Sequence, residues 1–448
     1  VTGDTPHILL INPWIHDFAA YDFWAKPLGL LSIAGILRAH GISVSYIDCL
    51  NRFHPRSAKS DPGARFGRGP YLKTRIEKPA GLHDVPRHFS RYGIQPQWFK
   101  ADLLNLAQPD LVLVTSLMTY WYPGVQEAIA GIRSVFPQTP IVLGGIYARL
   151  CQDHARHHSG ADLVAVEQAE NSLLSLVQRF TGFSATLKFD PSDLDSYPYP
   201  ALDLQTTINY IPLLTTSGCP FDCAYCASHF LEPRHLKRSP ESVIEEIKYW
   251  HRNYRVIDFV LYDDAFLVDA KRHAVPILER ICSDGLNIRF HTPNALHIRE
   301  IDSTTAGLMY KTGFRTIRLG LETAEFNQRQ ALDTKVSEAE FKRAVNCLID
   351  AGFNKNQIGA YLLVGLPGQK ISSIEQSIKT VIDSGITPVP AYYTPIPHTA
   401  LWPKAVAASR YDIAADPIFT NNAIVPCSRE PFSWDMLARL KKLASGYG

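Results

Sequence analysis

Along the first part of the chain, short apolar runs alternate with amphipathic stretches. His7 to Ile11, Ser43 to Ile47, Leu111 to Thr115, Ile141 to Leu143 and Leu163 to Val166 read as five strands. Leu28 to His40 reads as a helix with Gly41 at C′, and further helices follow Pro123 and start near Glu170. Strands that are apolar almost throughout, separated by helices, indicate a parallel sheet covered on both faces. The expected first domain is a doubly wound α/β unit over residues 1–185.

Residues 51–100 interrupt this pattern with Pro, Gly and many basic side chains, among them Arg52, Arg56, Arg65, Arg68, Arg87 and Arg91. The stretch reads either as a solvated loop excursion or as a lid bringing cations to an anionic ligand. Residues 186–206, rich in Pro and Asp, read as a linker. A second alternation then begins, with strands expected at Tyr210–Thr215, Asp258–Tyr262, Ile288–Thr292, Thr316–Gly320, Ile358–Val364 and Pro388–Tyr393. Six β/α units, too few for a closed eight-fold barrel, predict a partial parallel (β/α)6 barrel over 207–400. Residues 401–448 form a C-terminal tail with a short amphipathic helix, Trp434 to Leu443. There is no internal repeat or low-complexity tract.

Composition adds exclusions. A formal net charge of +2 over 448 residues gives no reason to expect a strongly electrostatic partner, and no nucleic-acid-binding signature is present. No apolar run approaches the ~18 residues of a membrane span, and Val1 to Leu10 lacks the pattern of a signal peptide. A cytoplasmic location is therefore expected.

Eight cysteines in so long a chain do not make a disulfide scaffold. Cys49, Cys151, Cys282, Cys347 and Cys427 are scattered and read as small buried hydrophobes. Cys219, Cys223 and Cys226 instead share one loop with spacing C-x3-C-x2-C, directly after the first strand of the second domain. That position is the C-terminal mouth of a barrel, where such folds keep their active sites. Three thiolates on a tight loop can each ligate one iron of a cubane, and without a fourth ligand one iron stays open. A structural zinc site, with His229 as fourth ligand, is the competing reading of the same residues.

Cys219-Pro-Phe-Asp-Cys223-Ala-Tyr225-Cys226 resembles the signature of the radical S-adenosylmethionine (SAM) superfamily, and the resemblance covers about 207–400. It implies a [4Fe–4S] cluster on Cys219, Cys223 and Cys226 whose open iron chelates SAM. It also implies reductive cleavage of SAM, with a reductant such as flavodoxin or ferredoxin as electron donor. In that family the aromatic residue, here Tyr225, lies near the adenine. Asp263 and Asp264, after the second strand, match a variant of the element that receives the SAM amino group; a helix N-cap is the plainer role. Strand alternation lets one of the two point into the mouth, and Asp263 is preferred. Asn294 is a candidate for the ribose hydroxyls, or a turn residue. Glu322, in Gly320-Leu321-Glu322-Thr323, would approach SAM; otherwise it is an ordinary loop charge. Gly365, opening Gly365-Leu366-Pro367-Gly368, would let the backbone pass close to adenine, or simply forms a tight turn. Ile396-Pro397-His398-Thr399 is similar to an element near the substrate mouth of related enzymes.

A doubly wound, Rossmann-like domain before such a barrel resembles the cobalamin-binding subgroup. The Lys26-Pro27-Leu28-Gly29-Leu30 helix start and Gly144-Gly145 carry that likeness. The Asp-x-His-x-x-Gly motif that supplies a cobalt ligand in many cobalamin proteins is absent, so a corrin would be held without a protein histidine. It would lie over the strand C-termini, near Asn12, Ser116, Thr119, Gly144 and Gly145, with Tyr120, Trp121 and Tyr122 close by. Cobalamin-dependent methylation of an unactivated carbon is the implied reaction. A radical rearrangement or cyclisation without methyl transfer uses the same parts, and a non-catalytic iron–sulfur or zinc protein is the reading from another class. No residue set names a substrate.

Overall fold

The computed structural model describes residues 5–327, 329–428 and 434–446. The chain divides into two compact units, Val1–Asn209 with Asp416–Phe419, and Tyr210–Ala415 with Thr420–Gly448.

In the first unit five strands form one sheet: β1 (His7–Asn12), β2 (Ser43–Asp48), β3 (Leu111–Val114), β4 (Ile141–Leu143) and β5 (Leu163–Val164). Their order is β2-β1-β3-β4-β5, all parallel. The continuous apolar runs follow from burial on both faces. Leu9, Ile11, Val112, Val114, Ile141 and Leu143 enter one core, with helices Pro96–Leu104 and Tyr122–Val135. Ile8, Leu10, Leu111, Leu113 and Val142 enter the other, with helices Leu28–Ala39 and Ala169–Thr181. Strand alternation thus assigns each residue to one of two cores.

Two segments differ from the sequence reading. Residues 51–100 are not one loop: Lys73–Ile76 and Phe89–Tyr92 pair antiparallel with each other, and Ile15–Asp17 joins the second of them. Phe89, Tyr92 and Ile94 are buried there. The strands are too short to show a period, and Pro and Gly crowd the sequence between them. Nor are its cations idle, because Arg52 pairs with Asp22 at 3.0 Å, Arg56 with Asp102 at 2.9 Å and Arg91 with Glu127 at 2.7 Å. Residues 186–206, read as a linker, pack on the first unit, with Phe189, Ala201 and Leu202 buried. Helix Leu28–Ala39 passes so close to them that a Cβ on Gly35 would lie 2.3 Å from the Tyr199 carbonyl oxygen.

The second unit contains β6 (Ile211–Leu213), β7 (Asp258–Leu261), β8 (Arg289–His291), β9 (Phe314–Glu322), β10 (Ile358–Val364) and β11 (Thr387–Tyr392). They stand in sequential order in one six-stranded parallel sheet, the partial barrel expected. Helices Pro240–Tyr254, Ala274–Ser283, Ser303–Lys311, Glu338–Asp350 and Ile371–Asp383 connect consecutive strands. Ser239 caps the first, while Asp302 and Ser337 start the third and fourth with capping boxes.

At the start of β7 the Asp258 carboxylate is buried and accepts from Arg289 at 2.7 and 2.6 Å and from His291 at 3.0 Å. Burial alone would raise its pKa, but hydrogen bonds and charge from His291 and Arg289 outweigh it and hold it below the usual carboxylate range. A carboxyl with a depressed folded-state pKa stabilises the fold above its unfolded value of about 3.9, and that contribution fades as pH falls through the folded value. Asp258→Asn should therefore cost the second unit about 2–3 kcal/mol at pH 7. Urea unfolding of wild type and variant should show this gap narrowing below about pH 4. An equal gap at both pH values would contradict the ion-pair assignment.

Candidate active site

The loop after β6 carries the three cysteines, and it is held at several points. Gly218 has φ +72°, and a Cβ there would lie 2.4 Å from the Arg234 carbonyl oxygen, so only glycine fits before Cys219. Thr216–Ser217 pairs antiparallel with Leu236–Lys237. Ala224 donates its amide to the Leu332 carbonyl at 2.9 Å and accepts from the Leu401 amide at 2.8 Å. Behind the loop, Asp263 Oδ1 accepts from the Thr215 amide at 2.9 Å and from the Thr215 and Thr216 hydroxyls at 2.6 and 2.9 Å.

Cys219, Cys223 and Cys226 line one cavity of about 300 Å³ at the C-terminal ends of the strands. Tyr225, Asp264, Asn294 and Glu322 line it too, so four more of the residues singled out in the sequence converge there. Asp263 and Gly365 do not line it. Of the two aspartates, Asp264 and not the expected Asp263 reaches the cavity. β7 ends at Leu261, so strand alternation no longer governs residues 263 and 264. Asp263 turns inward to the Thr215–Thr216 backbone, where burial raises its carboxyl to about 6 against the pull of those donors. Asp264 is exposed and accepts from Ser228 Oγ at 2.7 Å; that hydroxyl is also 3.3 Å from Cys226 Sγ. The Gly365 amide instead donates to Gln369 Oε1 at 2.8 Å, the tight-turn role.

Asn294 Nδ2 donates to the Tyr262 carbonyl at 2.7 Å, linking the loops after β8 and β7. Glu322 is buried with φ +61°, at a register shift in the β9–β10 pairing. Such strain persists where the surroundings impose it. Here the Arg329 guanidinium donates to the carbonyls of Leu321 and Thr323, one on each side of Glu322, at 3.1 Å each, and its other arm pairs with Asp333 at 2.7 Å.

Two cavity residues escaped the sequence reading. Lys335 is the only lysine or arginine lining the cavity among the described residues, with Nζ 3.3 Å from Tyr225 Oη. Burial would lower its pKa; the neighbouring Cys223, Glu322 and Asp333 more than offset this and keep it above its ordinary value. His297 is buried 3.9 Å from Cys219 Sγ, and burial, then the Lys335 charge, pull it down to about 3. Burial also pushes the thiol of Cys219 up, and that of Cys223 up to about 11, so loading a metal there must release protons.

The donor set fits a cubane. Three thiols face a cavity whose remaining wall carries carboxylates and an ammonium rather than a fourth cysteine. Among the described residues, no three or more His, Cys, Asp or Glu side chains close around a single ion. His229, the fourth ligand of the zinc reading, is exposed and does not line the cavity.

In the first unit, Asn12, Ser116, Gly144 and Gly145 sit just at or beyond the C-terminal ends of β1, β3 and β4, and Thr119 opens the short helix Thr119–Trp121. Much of their bonding is internal. Asn12 Nδ2 donates to Asp48 at 2.7 Å, and Ser116 Oγ donates to the Gly144 carbonyl at 2.6 Å. Gly145 has φ +92°, and a Cβ there would lie 2.3 Å from the Ser116 carbonyl oxygen. A Cβ on Gly144 would meet nothing within 4 Å, so the backbone is open there. The helices after β1 and β3 lie on opposite faces of the sheet, which makes the β1–β3 end a topological switch point.

Residues 213–381 match the family model of the Radical SAM superfamily. The chain is 27% identical over 224 residues to an uncharacterized methyltransferase of Pyrococcus horikoshii, a match covering 48% of each chain. It is 22% identical over 339 residues to the anaerobic magnesium-protoporphyrin IX monomethyl ester cyclase of Cereibacter sphaeroides, covering 67% of this chain and 54% of that one. It thus spans about half the length of these curated relatives. Among solved structures, the radical SAM methyltransferase TsrM of Kitasatospora setae, with tryptophan and a SAM analog bound, superposes with TM-score 0.65 at 15% identity. That match covers 91% of this chain and 78% of TsrM. The cobalamin-dependent enzyme OxsB, with aqua-cobalamin and SAM bound, gives 0.60 at 13% identity over 90% of this chain and 55% of OxsB. At these identities the superpositions speak to the fold.

Separate roles for the two aspartates are open to test. Asp264→Ala should leave cluster iron intact and weaken SAM binding about 10- to 100-fold, the worth of a charge-assisted contact. Asp263→Ala should reduce iron retention itself, because it frees the loop backbone. Iron analysis and SAM titration on both variants check this; the opposite pattern would restore the original preference.

Proposed function

We infer, for a chain whose residues 213–381 carry the domain of the Radical SAM superfamily, a cobalamin-dependent radical SAM enzyme that methylates an unactivated carbon. The observation that carries the reading is the convergence of Cys219, Cys223 and Cys226 with Asp264, Glu322 and Lys335 on one cavity. When bound, the reduced cluster and SAM supply a 5′-deoxyadenosyl radical that abstracts hydrogen from the substrate, and cobalamin supplies the methyl group.

The residues divide this work. Cys219, Cys223 and Cys226 hold the cluster on a loop that Asp263 fixes from behind. Asp264 and Glu322 offer acceptors to the SAM ammonium, and Lys335 offers a cation to its carboxylate. Tyr225, Leu296 and Ile298 give the cavity an apolar wall beside the adenine, excluding water from a reactive radical. In the first unit, Asn12, Ser116, Thr119, Gly144 and Gly145 surround the switch point where a corrin would rest. Support for cobalamin comes from the likeness to TsrM and OxsB, which extends over nine-tenths of this chain.

A second reading, radical cyclisation without methyl transfer, is favoured by the Cereibacter relative, whose match extends over 67% of this chain.

Anaerobically reconstituted protein, incubated with dithionite and methyl-labelled SAM, tests the proposal. Release of 5′-deoxyadenosine is expected, together with a corrin absorbance band and transfer of label to the bound corrin. Nucleoside release without transfer of the methyl label would favour the second reading. Neither nucleoside nor methionine release would refute the radical reading.

A further inference from the structure

We propose that His297 donates a hydrogen bond from Nε2 to the Cys219 thiolate and thereby raises the reduction potential of the cluster. This rests on the assignment of Cys219, Cys223 and Cys226 as cluster ligands.

His297 lies in the loop after β8, just before the short turn Ile298–Glu300, and is 6% exposed. Its Nε2 is 3.9 Å from Cys219 Sγ, within reach of an N–H···S bond. Its ring stacks on Phe221, inside the cysteine motif, with centroids 4.7 Å apart and planes 25° apart. Phe221 and Cys219 therefore hold the imidazole from the same loop. The other ring nitrogen, Nδ1, is buried and has no partner among the described residues. A neutral imidazole carries one N–H, and with a sulfur facing Nε2 and nothing facing Nδ1, the Nε2–H tautomer is the one that makes a bond. The orphaned Nδ1 costs stability, a cost that an ordinary core histidine avoids.

The effect follows from charge. Reducing the cluster adds negative charge that its sulfurs share, and an N–H directed at one of them stabilises the reduced form more than the oxidised form. Hydrogen bonds to sulfur are among the factors that set iron–sulfur potentials. Lys335, in the loop after β9, stands on the other side of the cysteine set, beside Cys223 and Tyr225. His297 acts at Cys219, with a dipole rather than a full charge.

The test uses the full chain, reconstituted anaerobically with iron and sulfide and titrated with redox mediators. His297→Phe keeps a ring against Phe221 and removes the donor. It should retain wild-type iron content, with the reduced-to-oxidised ratio at a fixed solution potential falling about fivefold, the worth of one hydrogen bond. His297→Gln places an amide N–H near the position of Nε2 and should recover most of that ratio. A wild-type ratio in His297→Phe, or equal shifts in both variants, would overturn the inference. If His297→Phe does not hold iron, His297→Leu replaces it; failure of both to hold iron makes His297 a structural prop and also overturns the inference. A wild-type protein that assembles no cluster refutes the underlying assignment instead, before any variant is compared.

Discussion

The site depends on one buried carboxylate. Asp263 gathers two amides and two hydroxyls of Thr215 and Thr216 onto a single oxygen. Those residues leave β6 and lead into the cysteine loop, so the bonds tie the end of β7 to the loop's first turn. A loop carrying three thiols has no core of its own to hold it in place. Its geometry is borrowed from the parallel sheet, through Asp263 at one end and the Ala224 backbone at the other. Charge-assisted bonds of this kind are about twice as strong as neutral ones, which suits a contact that must hold its geometry while the metal is loaded.

Charge balance is the second constraint. The cavity gathers thiols, two phenols and two carboxylates around one ammonium. Burial opposes ionisation of Cys219, Cys223 and Glu322, and Lys335 pulls each of them back towards the charged form. The left-handed backbone at Glu322 is held by Arg329 from behind, so strain on the cavity side is offset by a buried ion pair on the other. Lys335 and the groups around it, Cys223 and Glu322 above all, favour one another's charged forms.

Much of this was legible in the sequence, for physical reasons that differ from place to place. The strands of both sheets could be read because double-sided burial makes them apolar throughout, as in Leu111–Val114 and Ile358–Val364. The cysteine loop could be read because its three thiols lie within eight residues of one another, so spacing alone marks it. Lys335 and His297 could not. Each is an unremarked polar residue in its own loop, and only the closing of β8 and β9 beside β6 and β7 brings it to the cysteines. Which of Asp263 and Asp264 faces the cavity is not legible from alternation, because the strand stops at Leu261. In segment 51–100 the buried Phe89 and Tyr92 share one strand of only four residues, too short to show a period.

The central claim is that three cysteines hold a cubane with one iron left open for SAM. Mössbauer spectroscopy on protein reconstituted with isotopically enriched iron tests it most directly. Without SAM the cluster should give a [4Fe–4S] spectrum, and added SAM should set one iron apart from the other three as its coordination expands. Four irons that stay alike on adding SAM, or a protein that binds zinc in place of a cluster, would contradict the account.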